Sequence, residues 1–83
     1  MQHSYFSIEE VVNMTKVIIN NIRRLRFDHD EMTQKALADL VGVSRQTIVA
    51  IEKGKYSPSL EVAFKIAEIF TISISDVFQY VDE

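Results

Sequence analysis

The chain has 83 residues, enough for one domain around one small core. An apolar fraction of 47% argues that it folds, and the absence of cysteine excludes disulfides, thiolate chemistry and cysteine-ligated zinc. The net charge of −3 is unevenly spread: residues 18–56 carry seven lysines and arginines against five acidic residues, whereas residues 57–83 carry one lysine against five. One side of the molecule is therefore expected to be mildly basic and the other acidic.

Residues 1–17 read as an N-terminal arm preceding the domain at 18–83. Within it, Ser7-Ile8-Glu9-Glu10 has capping-box spacing, and a short helix from about Ile8 to Met14 is one expectation. A helix that short needs a docking surface to persist. Met14 as the true start, with the arm an accident of gene definition, stands beside a docking arm. The first residues lack a charged start followed by an apolar core, and the longest apolar runs fall well short of the ~20 residues of a membrane span. A cytoplasmic protein without membrane contact is the default expectation.

Val17-Ile18-Ile19 is short and β-branched. It reads either as a strand that pairs with Val77–Val81 at the other end or as an early start of the first helix. Asn20 or Asn21 caps that helix, which runs to about Asp28 with Ile22 and Leu25 inward. Arg23 and Arg24 are left solvated or near phosphate.

Residues 33–53, TQKALADLVGVSRQTIVAIEK, read as two helices joined by a tight turn. The first runs from about Gln34 to Leu40 after Thr33. The turn is Val41-Gly42-Val43. The second starts at Ser44 and runs to about Lys53. Leu37, Val41, Ile48 and Ile51 are the apolar positions. Ala38 sits where the helices must cross closely, and Gly42 where a steep turn needs positive φ. This spacing meets the packing requirement of a helix-turn-helix, whose helices cross at ~90–120°. Arg45, Gln46, Thr47, Val49 and Ala50 remain exposed on the second helix. An arginine and a glutamine at a helix N-terminus can reach base edges in a major groove.

Gly54 stops the second helix, and Pro58 delays the next. Ser59 caps a fourth helix, on which Leu60, Ala63, Phe64, Ala67 and Phe70 share one face, widened by Val62, Ile66 and Ile69. Ser75 is expected to cap a last short helix from Asp76 to about Phe78. Ile72, Ile74, Phe78 and Tyr80 are more apolar surface than a small bundle needs. They are expected to form a homodimer interface, with core filling as the alternative.

Residues 33–53 and the following GKYSPSLEVAFKIAEIF resemble the Xre-type helix-turn-helix family of phage repressors and Cro proteins, especially its short single-domain members. The resemblance covers roughly Ile19 to Tyr80 and is carried by SRQTI-x-x-IE-x-GK-Y-x-PSL. It implies that Arg45 and Gln46 read bases, that Thr47 touches bases or backbone, and that Val49 and Ala50 meet thymine methyls. It also implies phosphate contacts from Thr33, Gln34, Ser44, Lys53, Lys55 and Tyr56, which position the protein without specifying sequence. An arginine of the first helix, here Arg26, pairs in such proteins with the glutamate near the end of the recognition helix, here Glu52. Compact members carry a two-stranded ribbon at the chain ends. The loop before Thr33 is one residue longer here than the common spacing.

No catalytic constellation is visible. Asp28-His29-Asp30 lies at a helix end, where neighbours do not converge on a metal or a substrate. Only Gly42 and Gly54 are glycines, so no phosphate-cradling glycine loop exists, and there is no G-x-S-x-G elbow. No metal and no cofactor are expected. The resulting expectation is an all-α, compact five-helix, lambda-repressor-like DNA-binding domain, with a small terminal β-ribbon left open. It would bind double-stranded DNA as a homodimer and repress transcription. The alternatives are an antitoxin, or a protein-interaction module on the same fold.

Overall fold

The computed structural model describes residues 15–83. The arm's expected helix from Ile8 to Met14 lies outside them. The elements follow as β1 (Lys16–Asn20), α1 (Ile22–Asp28), α2 (Gln34–Val41), α3 (Arg45–Glu52), α4 (Leu60–Phe70), α5 (Ile74–Val77) and β2 (Phe78–Asp82). The ribbon therefore forms, and Lys16 and Val17 belong to it rather than to the arm. β1 and β2 pair antiparallel, Lys16 opposite Asp82 and Asn20 opposite Phe78. Lys16 Nζ stands 4.9 Å from the centroid of the Tyr80 ring.

Two asparagines join the ribbon to the helices. Asn20 Oδ1 accepts from the Ile22 amide at 3.1 Å, and its Nδ2 donates to the Ile51 carbonyl at 2.9 Å. Asn21, at the cap position of α1, makes no side-chain cap and instead donates from Nδ2 to the Asp76 carbonyl at 2.9 Å. Its backbone amide donates to the Val77 carbonyl. The start of α1 is thus tied to the end of α3 and to α5.

The core is built from every helix: Ile22, Leu37, Ala38, Val41, Ile48, Ile51, Ile66, Ala67, Phe70 and Val77. The turn between α2 and α3 holds Gly42 at φ 87°, a left-handed conformation that costs glycine little. Ala38 is buried in the crossing, 1% exposed, where a larger side chain would hold the backbones apart. α2, α3 and α4 begin with the same device, the Thr33, Ser44 and Ser59 hydroxyls accepting from Ala36, Thr47 and Val62 amides.

Two sequence expectations need correction. α4 turns Ala63, Ile66, Ala67 and Phe70 inward, while Leu60 and Phe64 face solvent at 74% and 56% exposure. An 11-residue helix on so small a core buries one stripe, and those two residues lie beyond its edge. The last helix starts at Ile74 behind Ser73, not behind Ser75. Ser73 Oγ donates to the Asp76 carboxylate at 2.9 Å. Phe78 is already extended, because pairing with Asn20 draws it into the ribbon.

Candidate nucleic-acid interface

α3 is anchored by Ile48 and Ile51, both buried, so its remaining faces are decided by the 3.6-residue period. Arg45 and Gln46 are exposed at its first turn, and Thr47, Val49 and Ala50 are half-buried along its side. The five residues expected to read bases thus lie on one helix, two fully presented and three flanking them.

Thr33 and Ser44 sit at the N-termini of α2 and α3. Each hydroxyl oxygen already accepts an amide, which leaves the Thr33 hydrogen to be offered outward. Ser44 Oγ also lies 2.9 Å from Thr47 Oγ1, so these two hydroxyls share one hydrogen bond. Gln34, the first residue of α2, bridges to both sides. It accepts from Arg45 Nη2 at 3.2 Å through Oε1, and donates from Nε2 to Glu52 Oε1 at 3.2 Å.

Glu52 is in turn held by Arg26. Arg26 Nε donates to Oε2 at 2.6 Å and Nη2 to Oε1 at 3.0 Å, a bidentate pair. Arg26 Nη1 donates to the Met32 carbonyl at 2.7 Å, just ahead of α2. The side chains are 14% and 8% exposed. One connected set of hydrogen bonds therefore runs from α1 through α3 and α2 to the exposed start of α3.

Arg23, Gln34, Val49 and Lys53 line a surface groove floored by the Arg26–Glu52 pair. Arg23 thereby joins the basic margin. Its spacing of three from Arg26 on one helix is the sequence signal that points to it. Lys55 and Tyr56 lie past the end of α3, exposed; Tyr56 lines a separate hollow with Lys16, Ile51 and Tyr80.

The four residues expected at a dimer interface divide. Ile72, Ile74 and Phe78 are half-buried against the core, and Tyr80 is 65% exposed. Ile18, Leu60, Ile74 and Phe78 border one apolar groove beside Pro58. Among the described residues, no group of three or more histidines or carboxylates is arranged to hold a metal, and no helix is long and apolar enough to cross a membrane.

Comparison with known proteins gives a consistent result. A family model described as Helix-turn-helix, HTH_3, matches residues 22–77. The HTH-type transcriptional regulator MJ0272 of Methanocaldococcus jannaschii is 55% identical over 64 residues, covering 77% of this chain and 96% of that protein. The cryptic phage CTXphi transcriptional repressor RstR of Vibrio cholerae is 36% identical over 58 residues, 70% of this chain and 51% of its own length. The crystal structure of the transcriptional regulator VanUg superposes with a TM-score of 0.69 at 25% identity, covering 100% of both chains.

Proposed function

The chain belongs to the HTH_3 helix-turn-helix family of DNA-binding transcriptional regulators, which are not enzymes, and from that premise we propose that it is a sequence-specific repressor binding an inverted-repeat operator as a homodimer. The observation that carries the proposal is the exposed first turn of α3, where Arg45 and Gln46 stand free of the core on a helix fixed by the Ala38 crossing and the Gly42 turn.

Arg45 and Gln46 enter the major groove and read base edges, with Thr47, Val49 and Ala50 alongside; each good bidentate pair is worth ~1–3 kcal/mol of discrimination. Thr33, Gln34, Ser44, Lys53, Lys55 and Tyr56 contact phosphates, joined by Arg23 at the groove margin. With a net charge of −3, the protein draws little on non-specific attraction, so a second copy and base contacts supply most of the affinity. Exposed Ile18, Leu60, Phe64 and Tyr80 offer the apolar surface for that second copy, extending the face first expected from Ile72, Ile74, Phe78 and Tyr80. A repressor needs only to occupy a promoter, and its place of action is the cytoplasm.

Selection of bound sequences from a random DNA library at fixed salt tests this. The expected product is an inverted repeat with half-sites about one helical turn, ~34 Å, apart. Folded dimer with no enriched sequence overturns it in favour of a protein partner. Arg45→Ala is expected to flatten preference at one base position. Lys55→Ala is expected to weaken all sequences alike and to reduce the salt slope by about one.

A further inference from the structure

All nine lysines and arginines of the chain lie within the described residues, and they divide by partner. Arg24, Arg26, Lys35 and Lys65 hold the carboxylates of Asp28, Glu52, Asp39 and Glu61. The other five, Lys16, Arg23, Arg45, Lys53 and Lys55, make no ion pair among the described residues. Four of these five stand on α3, just past its end, or at the margin of the groove beside it. Lys16 is the exception, since it opens β1 and lies outside the helix-turn-helix.

Its surroundings bring it back to that face. In the ribbon Lys16 stands opposite Asp82, yet the two side chains form no ion pair. The ammonium lies instead over the Tyr80 ring, 4.9 Å from its centroid, where the negative face of the ring attracts it. Lys16 and Tyr80 line one hollow together with Gly54, Tyr56 and Ser57, the segment that follows α3. The ribbon's one cation therefore shares a hollow with Tyr56. A cation held over a ring keeps its full charge and has no carboxylate to abandon when a phosphate arrives.

Resting on the reading of α3 as the helix that enters DNA, we propose that Lys16 is a further contact to the DNA backbone, so that the terminal ribbon grips a phosphate beside those taken by Lys55 and Tyr56. The ligand is a phosphodiester oxygen. The contact carries no base preference and releases about one more counterion for each bound copy. In a protein of net charge −3, a fifth unpaired cation on the DNA face is a sizeable share of the attraction.

The test measures affinity for the DNA sequence selected from the library, and for random DNA, over a range of salt. It uses the full chain and the variants Lys16→Gln, Lys16→Arg, Lys55→Ala and Lys65→Gln. Lys16→Gln is expected to reduce the slope of log affinity against log salt by about one for each bound copy, on both DNAs alike. Lys16→Arg keeps the charge and the contact with the ring, and is expected to keep the slope. Lys65→Gln removes the same charge from α4, where Glu61 holds it, and is expected to change the slope much less. That variant separates a contact from the loss of one charge anywhere. Ethylation interference locates the contact: a phosphate whose ethylation blocks the parent is expected to be tolerated by Lys16→Gln, and a different one by Lys55→Ala. Melting and sedimentation equilibrium of Lys16→Gln are expected to match the parent. If Lys55→Ala lowers the slope while Lys16→Gln keeps it, or lowers it no more than Lys65→Gln, the ribbon contact is overturned and the helix-turn-helix reading stands. Loss of the dimer in Lys16→Gln assigns Lys16 to the second copy and overturns the contact as well. A folded parent that binds neither DNA overturns both readings.

Discussion

Arg26 places its guanidinium where solvent barely reaches, 14% exposed, against a carboxylate 8% exposed. Such a pair adds little net stability, because both ions lost their water to form it, but each is stranded without the other. Arg26→Ala or Glu52→Ala is expected to lower unfolding free energy by about 3–5 kcal/mol in urea denaturation, and Arg26→Met with Glu52→Leu together to cost much less than the sum of the two. The loop after α1 shows a different economy of residues. Asp30 and Glu31 both take positive φ, 60° and 52°, in the loop between α1 and α2. Aspartate tolerates the left-handed region better than glutamate does. Glu31→Gly is expected to raise stability by about 0.5–1 kcal/mol, and Asp30→Gly by less, read from the midpoint of thermal or urea unfolding.

At the scale of elements, two of the left-handed residues that end helices, Gly42 and Thr71, invite opposite changes. Gly42 ends α2 at φ 87°, and an added Cβ there would meet nothing within 4 Å. Gly42→Ala is therefore a test of backbone strain alone, expected to cost about 1–2 kcal/mol without repacking the core. Thr71 ends α4 at φ 55°, where glycine is the usual occupant, while the Ile72 amide closes the end on the Ala67 carbonyl at 3.1 Å. Thr71→Gly is expected to stabilise the protein by about 0.5–1 kcal/mol in the same measurements. Ala38 tests the crossing itself. Ala38→Leu forces a side chain between α2 and α3 and is expected to cost about 1–3 kcal/mol, with DNA selectivity lost beyond what stability explains, because α3 tilts.

For the whole molecule, charge and apolar surface are both divided. Along the chain, residues 57–83 carry five acidic residues against one lysine, whereas residues 18–56, which include α3, carry seven lysines and arginines against five acidic residues. Leu60, Phe64 and Tyr80 are exposed although their chemistry favours burial. If a second copy covers them, Leu60→Asp is expected to leave the monomer's fold within about 0.5 kcal/mol, as surface changes do, yet to raise the dimer dissociation constant at least ~10-fold by sedimentation equilibrium. Ile74→Ala is the contrasting variant. Ile74 packs against the core, so its loss is expected to lower folding stability first.

The helix-turn-helix is legible in the sequence, because its signals are local. A small residue, a glycine and a β-branched residue at fixed spacing, with a hydroxyl before each helix, depend only on neighbours along the sequence. The outward placement of Arg45 and Gln46 followed from the helical period once Ile48 and Ile51 were inward, whereas Thr47, Val49 and Ala50, expected to be exposed, are half-buried. The outward turn of Leu60 and Phe64 was not legible, since periodicity says which residues share a face but not how wide a stripe the rest of the molecule covers. Nor was the shift of the last helix to Ile74. That depended on Phe78 being drawn into a strand whose partner, Asn20, lies at the other end of the chain. The Arg45–Gln34–Glu52 connection is of the same kind. Its donors and acceptors come from two helices whose crossing brings residues 11 and 18 apart in sequence within hydrogen-bond distance, so their meeting is set by packing rather than by spacing.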